Sequence, residues 1–294
     1  MATQLAMLRK PSEEASVSLA SQLKGASLEL GAQRASDIPA LADILPAGTP
    51  VFVPHLPRHD LETAVQCSVA LRNAGLEPVP HIAVRRMTSA AETEGFLAKL
   101  TSLAGVRRLL LIGSDLAPPA GHFREVADLL HSKLLSRTGI EHVEFGGYPD
   151  GHPQIDQAAL WNSLEQKIAL ASDEGCRSGI VTQFSFSATA VADYVVELNG
   201  RFPGVPVRVG MAGPCNPLTL MKFAQACGVV ASIRAASGLG IAAARLALNG
   251  NPSTLASNIA TLLETSGPHS VAGLHLFSFG GTRATAEWMK RSAQ

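Results

Sequence analysis

The chain has 294 residues, 46% of them hydrophobic and 16% charged, and Lys plus Arg equals Asp plus Glu at 24 each. Such a composition excludes a disordered chain, and zero formal charge gives no electrostatic claim on nucleic acid or an anionic membrane. A chain of this length buries about three-quarters of its unfolded surface, enough for one large α/β barrel or two modest domains, and its expected partner is a small molecule.

Residues 1–24 read as an arm or a first helix outside the main fold, with Glu13 and Glu14 arguing against a signal peptide. From residue 25 to 294, short β-rich apolar runs recur at 26–30, 50–54, 78–84, 106–112, 142–146, 178–184, 205–211 and 273–279. Near-continuous apolar runs such as Leu109-Leu110-Leu111-Ile112 fit a sheet buried on both faces. Helical patterns such as 61–74 and 120–136 lie between them. Alternation of this kind predicts parallel β/α units, and eight units in one chain predict a (β/α)8 TIM barrel; an open doubly wound sheet is the alternative. The last interval carries extra helices before the final strand, at 217–227, 239–249 and 254–266, with Asn249-Gly250-Asn251-Pro252 as stop and restart.

In a barrel, polar residues at strand C-termini gather at one mouth. Here they are His55, His81, Asp115, Tyr148, His152 and Gln183. The segments Gly147-Tyr148-Pro149-Asp150-Gly151-His152-Pro153 and Val181-Thr182-Gln183-Phe184 carry side chains poor at filling a core and well suited to gripping a polar heteroaromatic ligand. Glu29, inside Ser27-Leu28-Glu29-Leu30, is costly to bury without a partner or a proton.

Other groups carry less. The cysteines Cys67, Cys176, Cys215 and Cys227 show no CxxC or zinc spacing and are expected reduced, Cys215 in loop packing. His55 and His59, with His81, Asp115 and His152, permit an alternative as a metal-dependent barrel hydrolase, although Pro57 interrupts a shared helical face. His59 and His142 read as surface or packing residues, Trp161 and Trp288 as helix faces. Gly238-Leu239-Gly240 is too short for a dinucleotide fingerprint. No run of ~18 apolar residues occurs, so a cytoplasmic, soluble protein is expected. No helix face stands out for association.

The ordered set Ser27-Leu28-Glu29-Leu30, Glu77-Pro78-Val79-Pro80-His81, Ile112-Gly113-Ser114-Asp115-Leu116, Tyr148-Pro149-Asp150-Gly151-His152-Pro153, Ile180-Val181-Thr182-Gln183-Phe184 and His275-Leu276-Phe277 resembles the methylenetetrahydrofolate reductase family, a barrel fold, from residue 25 onward. The resemblance implies reduction of 5,10-methylenetetrahydrofolate to 5-methyltetrahydrofolate by NADH or NADPH, usually through FAD. It implies that Glu29 is the general acid that protonates the folate nitrogen, and that Asp115 stabilises the resulting cation near pterin and flavin. Gln183 would hydrogen-bond the pterin, with Phe184 and Arg283 completing the substrate contacts. His81, Asp115, Tyr148, His152 and Lys167 would hold the flavin. A non-catalytic folate-binding relative is a further alternative, although a pure binder needs no general acid.

The chain departs from the family pattern around the flavin. Gly113 replaces an arginine, Pro54 a threonine, and Leu160, Ser163 and Gln166 stand where charged or amide groups approach the FAD phosphates. Gly281 stands where a basic residue is expected for the folate tail, with Arg283 close by in sequence. Three expectations remain open: a rearranged FAD pocket, weak FAD binding, or direct hydride transfer from the nicotinamide.

Overall fold

The computed structural model describes residues 13–57, 60–227, 229, 252–266 and 269–294. Eight parallel strands pair in chain order, and the eighth returns to the first to close a barrel. The strands are β1 (Ser27–Glu29), β2 (Pro50–Val53), β3 (Glu77–Ala83), β4 (Arg108–Ile112), β5 (His142–Gly147), β6 (Arg177–Thr182), β7 (Val207–Ala212) and β8 (Val271–Phe277). Each falls on a predicted apolar run. The closed ring of pairings, sealed where Ser27 meets His275, excludes the open sheet.

The helices are α1 (Glu13–Lys24), α2 (Ile38–Ile44), α3 (Leu61–Asn73), α4 (Ala90–Ala104), α5 (Val126–His131), α6 (Leu134–Arg137), α7 (Gln157–Asp173), α8 (Ala188–Arg201), α9 (Pro217–Ala226), α10 (Ser253–Thr265) and α11 (Thr282–Ser292). Most β-to-α connections end on a side-chain cap. Asp60, Ser89, Asp156 and Ser187 accept from the backbone N–H groups of Thr63, Glu92, Ala159 and Ala190, satisfying donors that the first helical turn leaves orphaned.

Helix α1 is packed onto the barrel rather than lying outside it: Leu19 and Leu23 are buried in the main core. The single helix expected over 120–136 is two short ones. Residues before it are tied down, because Ala120 N–H donates to the Arg85 carbonyl and Gly121 lies against the Met87 and Thr88 carbonyls. A reciprocal cap between Glu125 and Asp128 then starts α5, and Lys133 in the left-handed region separates it from α6. The helices expected at 217–227 and 254–266 are α9 and α10; the one expected at 239–249 and the Gly238-Leu239-Gly240 segment lie outside the described residues.

Side chains alternate between the helix layer and the barrel interior. The outer layer holds the main core, including Leu28, Val51, Ile82, Leu109, Leu111, Phe145 and Ile180. The interior has three storeys. Near the strand N-termini, Glu144 sits 3.9 Å from Arg108 Nε and 3.6 Å from His142 Nε2, and Arg208 donates to the Gly25 carbonyl at 2.6 Å. Gly179 makes room for that carboxylate, since a Cβ there would lie 2.2 Å from Glu144 Oε2. An apolar storey of Phe52, Val79, Leu110 and Val181 follows. Above it, at the strand C-termini, lies a second polar group.

Candidate active site

Glu29 ends β1 and points into the mouth, its side chain 18% exposed. Its Oε1 lies 3.9 Å from Nε2 of His81 on β3 and 3.8 Å from Nε2 of His275 on β8. Both Nε2 atoms are buried, and beyond these long contacts with Glu29 neither has a partner at hydrogen-bond distance. Buried polar atoms in native proteins almost always find partners, so two orphans beside one carboxyl mark a place where a ligand or water belongs. The far side of His275 is anchored, with Nδ1 2.9 Å from Ser27 Oγ. Phe52 floors the site, its ring edge-on to His275 at 4.5 Å and to His81 at 5.9 Å between centroids.

Burial pushes the His81 imidazole down to about 4, against the pull of Glu29, and burial lowers His275 as well. Both rings are therefore neutral near pH 7, and neither contact with Glu29 is an ion pair. A neutral imidazole offers one donor and one acceptor. If the Ser27 hydroxyl donates to Nδ1, the His275 proton sits on Nε2 facing Glu29; if Ser27 accepts, Nε2 is bare. The partner of Nδ1 thus selects what His275 presents to the carboxyl.

Opposite, Tyr148 and Gln183 follow β5 and β6 directly. The Tyr148 phenol folds back beside Gly146, its oxygen in van der Waals range of that residue. Burial raises the Tyr148 pKa, and a nearby thiol, Cys227, adds to it. Cys227 follows α9 and hydrogen-bonds the Gln183 side chain; burial and the Glu29 charge both raise its pKa, so it stays a protonated thiol. Glu29, His81, Tyr148, Gln183, Cys227 and His275 therefore share one mouth. His275 and Cys227 were not expected there. A histidine at the same parity as Phe277 inside an apolar strand was a usable signal, whereas nothing in the sequence ties Cys227 to Gln183.

Phe184 is buried and edge-on to Phe277 and Phe279, which with Phe223 make an aromatic wall beside His275. His152 stands edge-on to Tyr148 at 5.4 Å and accepts from Gln154 N–H. The other expected site residues lie elsewhere. Asp115 is 91% exposed on the rim and accepts from Arg86 Nη2 at 2.9 Å. Ser114, at φ 89°, turns the chain so that the carboxylate leaves the interior. Arg283 is exposed and paired with Glu287 one helical turn on. Lys167 reaches from α7 to lie 5.7 Å from the centre of the Phe145 ring, in the layer between strand and helix. Burial there pushes its ammonium down to about 8.

These placements bear on FAD. Lys167 was the cation expected for its phosphates, yet it is desolvated against Phe145, and Ser163 and Gln166 are exposed on α7. A diphosphate recruits charge-assisted donors, and the residues at these positions do not supply them. Nor do the described residues include a group of three or more His, Cys, Asp or Glu able to hold a metal ion; His59 lies outside them. Among the described residues no helix is long and apolar enough to cross a membrane.

No family model matches the chain. It is similar to tryptophan synthase from M. tuberculosis, at 16% identity over 85% of this chain and 100% of that one, with a TM-score of 0.43. It is also similar to 3-dehydroquinate dehydratase from Geobacillus kaustophilus HTA426, at 12% identity over 66% and 76% of the two chains, TM-score 0.39. D-Psicose 3-epimerase from Clostridium cellulolyticum H10 is similar at 11% identity over 91% and 95%, TM-score 0.35. Likeness at this level says nothing of chemistry, and the TIM barrel stands on its own strand pairing.

Proposed function

We propose that this barrel is a nicotinamide-dependent reductase of the methylenetetrahydrofolate reductase type, interconverting 5,10-methylenetetrahydrofolate and 5-methyltetrahydrofolate. The observation that carries the proposal is Glu29 at the mouth, with the two unpartnered Nε2 atoms of His81 and His275 at 3.9 and 3.8 Å. A carboxyl set among neutral imidazoles, over an aromatic floor and opposite an amide, suits proton transfer to a nitrogen heterocycle.

In the proposed reaction the protonated Glu29 gives its proton to the folate nitrogen that leaves the methylene carbon. The five-membered ring opens, and an iminium cation forms on the other nitrogen. The C4 hydride of NADH or NADPH adds to that carbon with its electron pair, giving the N-methyl group and oxidised nicotinamide. Glu29, now a carboxylate, recovers its proton from solvent. Gln183 offers the pterin both a donor and an acceptor, and Phe184 with Phe277 gives the ring system an apolar side. Asp115, paired with Arg86 on the rim, has no part in stabilising the cation. Because Lys167, Ser163 and Gln166 do not supply donors for the FAD phosphates, the hydride in this proposal passes directly from nicotinamide to carbon. Incubation with 5,10-methylenetetrahydrofolate and reduced nicotinamide, followed by analysis for 5-methyltetrahydrofolate, tests the proposal. Product absent despite folate binding would leave a binder.

A further inference from the structure

At the opposite end of the barrel from Glu29, the N-terminal ends of β1, β2 and β7 frame a cavity of about 230 Å³. Its wall is built by Lys24, Gly25 and Ala26 leading into β1, by residues 46–50 leading into β2, and by Arg208 near the start of β7. Among these lining residues only Lys24 and Arg208 are charged, and none is a carboxylate.

Arg208 carries the argument. It is only 9% exposed, so its charge is held largely out of water. One N–H, on Nη1, donates to the Gly25 carbonyl at 2.6 Å. Among the described residues its other guanidinium N–H groups make no hydrogen bond, and those nitrogens are not sealed from solvent. Glu77 and Glu144 attract it only from beyond ion-pair distance, since each lies against Arg108 instead, at 3.8 and 3.9 Å. Burial lowers the Arg208 pKa, the mark of a cation with less compensating charge than its surroundings call for.

The carbonyls around the cavity are already engaged. Gly25 O accepts from Arg208, Leu23 O from Ala26 N–H, Gly75 O from Gly48 N–H, and Pro46 O from both the N–H and the hydroxyl of Thr49. A guanidinium fork beside an ammonium, with no carboxylate in the wall, suits a tetrahedral oxyanion. The cavity falls below the ~300–1,000 Å³ range of small-molecule sites, which suits a ligand the size of inorganic phosphate.

We infer that this cavity binds one phosphate-sized dianion, held by Arg208 and Lys24, and that the anion ties β7 to the segments entering β1 and β2. The N-terminal face of a barrel serves stability rather than chemistry. The ligand is therefore a stabilising one, and the site stands independently of the reductase proposal.

Calorimetric titration of the full chain with inorganic phosphate, in a buffer free of other oxyanions, tests this. One phosphate per chain is expected to bind, with sulfate competing, and the urea midpoint is expected to rise with phosphate concentration. Ala47→Glu places a carboxylate on the cavity wall at an exposed position. It is expected to weaken phosphate tenfold or more while the circular dichroism spectrum stays unchanged. Lys24→Ala, also at an exposed position, is expected to weaken it about threefold or more. No binding at tens of millimolar phosphate would overturn the assignment. So would binding that ignores both Ala47→Glu and Lys24→Ala, which would place the anion elsewhere on the molecule.

Discussion

Nε2 of His275 lies 3.8 Å from Oε1 of Glu29, across the seam where β8 closes onto β1. Ordinary hydrogen bonds span about 2.7–3.2 Å, so a modest side-chain rotation converts this contact into one. Since His275 is wholly buried and uncharged, it can orient the carboxyl without neutralising it. Barrel closure, which brings the first and last strands together, is thus what sets the Glu29 carboxyl beside His275.

Replacing Glu29 with Gln keeps the shape and removes the proton donor. Turnover is expected to fall by ~10²–10⁴-fold, the usual contribution of a general acid. Folate affinity, measured by calorimetry, is expected to stay within about threefold, because the amide keeps the hydrogen-bonding edge. Equal losses in both would make Glu29 a binding group.

His275→Leu removes one of the two neighbours of Glu29. A hydrogen bond between two neutral groups contributes ~0.5–1.5 kcal/mol, so loss of this orienting contact is expected to lower kcat by up to about tenfold, with little change in folate KM. Ser27→Ala leaves the buried Nδ1 without a partner, so it is expected both to lower stability by about 1–3 kcal/mol in urea denaturation and to shift the pH profile of kcat. A purely structural role for Ser27 would lower the midpoint and leave the profile where it was.

The contrast between His275 and Asp115 shows what the sequence could and could not carry. All eight strands were legible because a parallel barrel sheet, covered on both faces, demands nearly continuous apolar runs. Glu29, Tyr148 and Gln183 were legible because a residue in or just after such a run has its direction set by strand parity. Asp115 comes three residues after β4, beyond Gly113 and Ser114, and the left-handed Ser114 sends its carboxylate to Arg86 on the rim. Backbone turns of that kind leave no hydrophobic pattern. Cys227 reaches Gln183 only through the placement of α9, a tertiary relation with no local signal.

Lys167→Met tests the fate of the flavin site. The ammonium is held near 8 against the usual 10.5 by desolvation, so removing it is expected to stabilise the fold by about 1–3 kcal/mol in urea denaturation. Turnover is expected to be unchanged. A cofactor phosphate held by Lys167 would instead cost the variant its affinity for FAD.

His81 sets a pH dependence of stability. Its native pKa of about 4 lies below the unfolded 6.5, so the unfolded chain takes up the proton first as pH falls. Stability supplied by keeping this ring neutral is complete above pH 6.5 and is lost between 6.5 and 4. The loss from pH 7 to 4.5 is on the order of 2–3 kcal/mol. His81→Asn is expected to flatten the wild-type curve by that amount; parallel curves would show that the ring titrates normally in the native state.

Direct hydride transfer at the Glu29 mouth is tested most squarely by the rate of nicotinamide oxidation with 5,10-methylenetetrahydrofolate, measured on FAD-stripped protein and again with FAD added. The expected result is the same rate in both, with 5-methyltetrahydrofolate formed in equal amount to the nicotinamide consumed. Turnover that requires added FAD, or none at all from protein that binds folate, would contradict it.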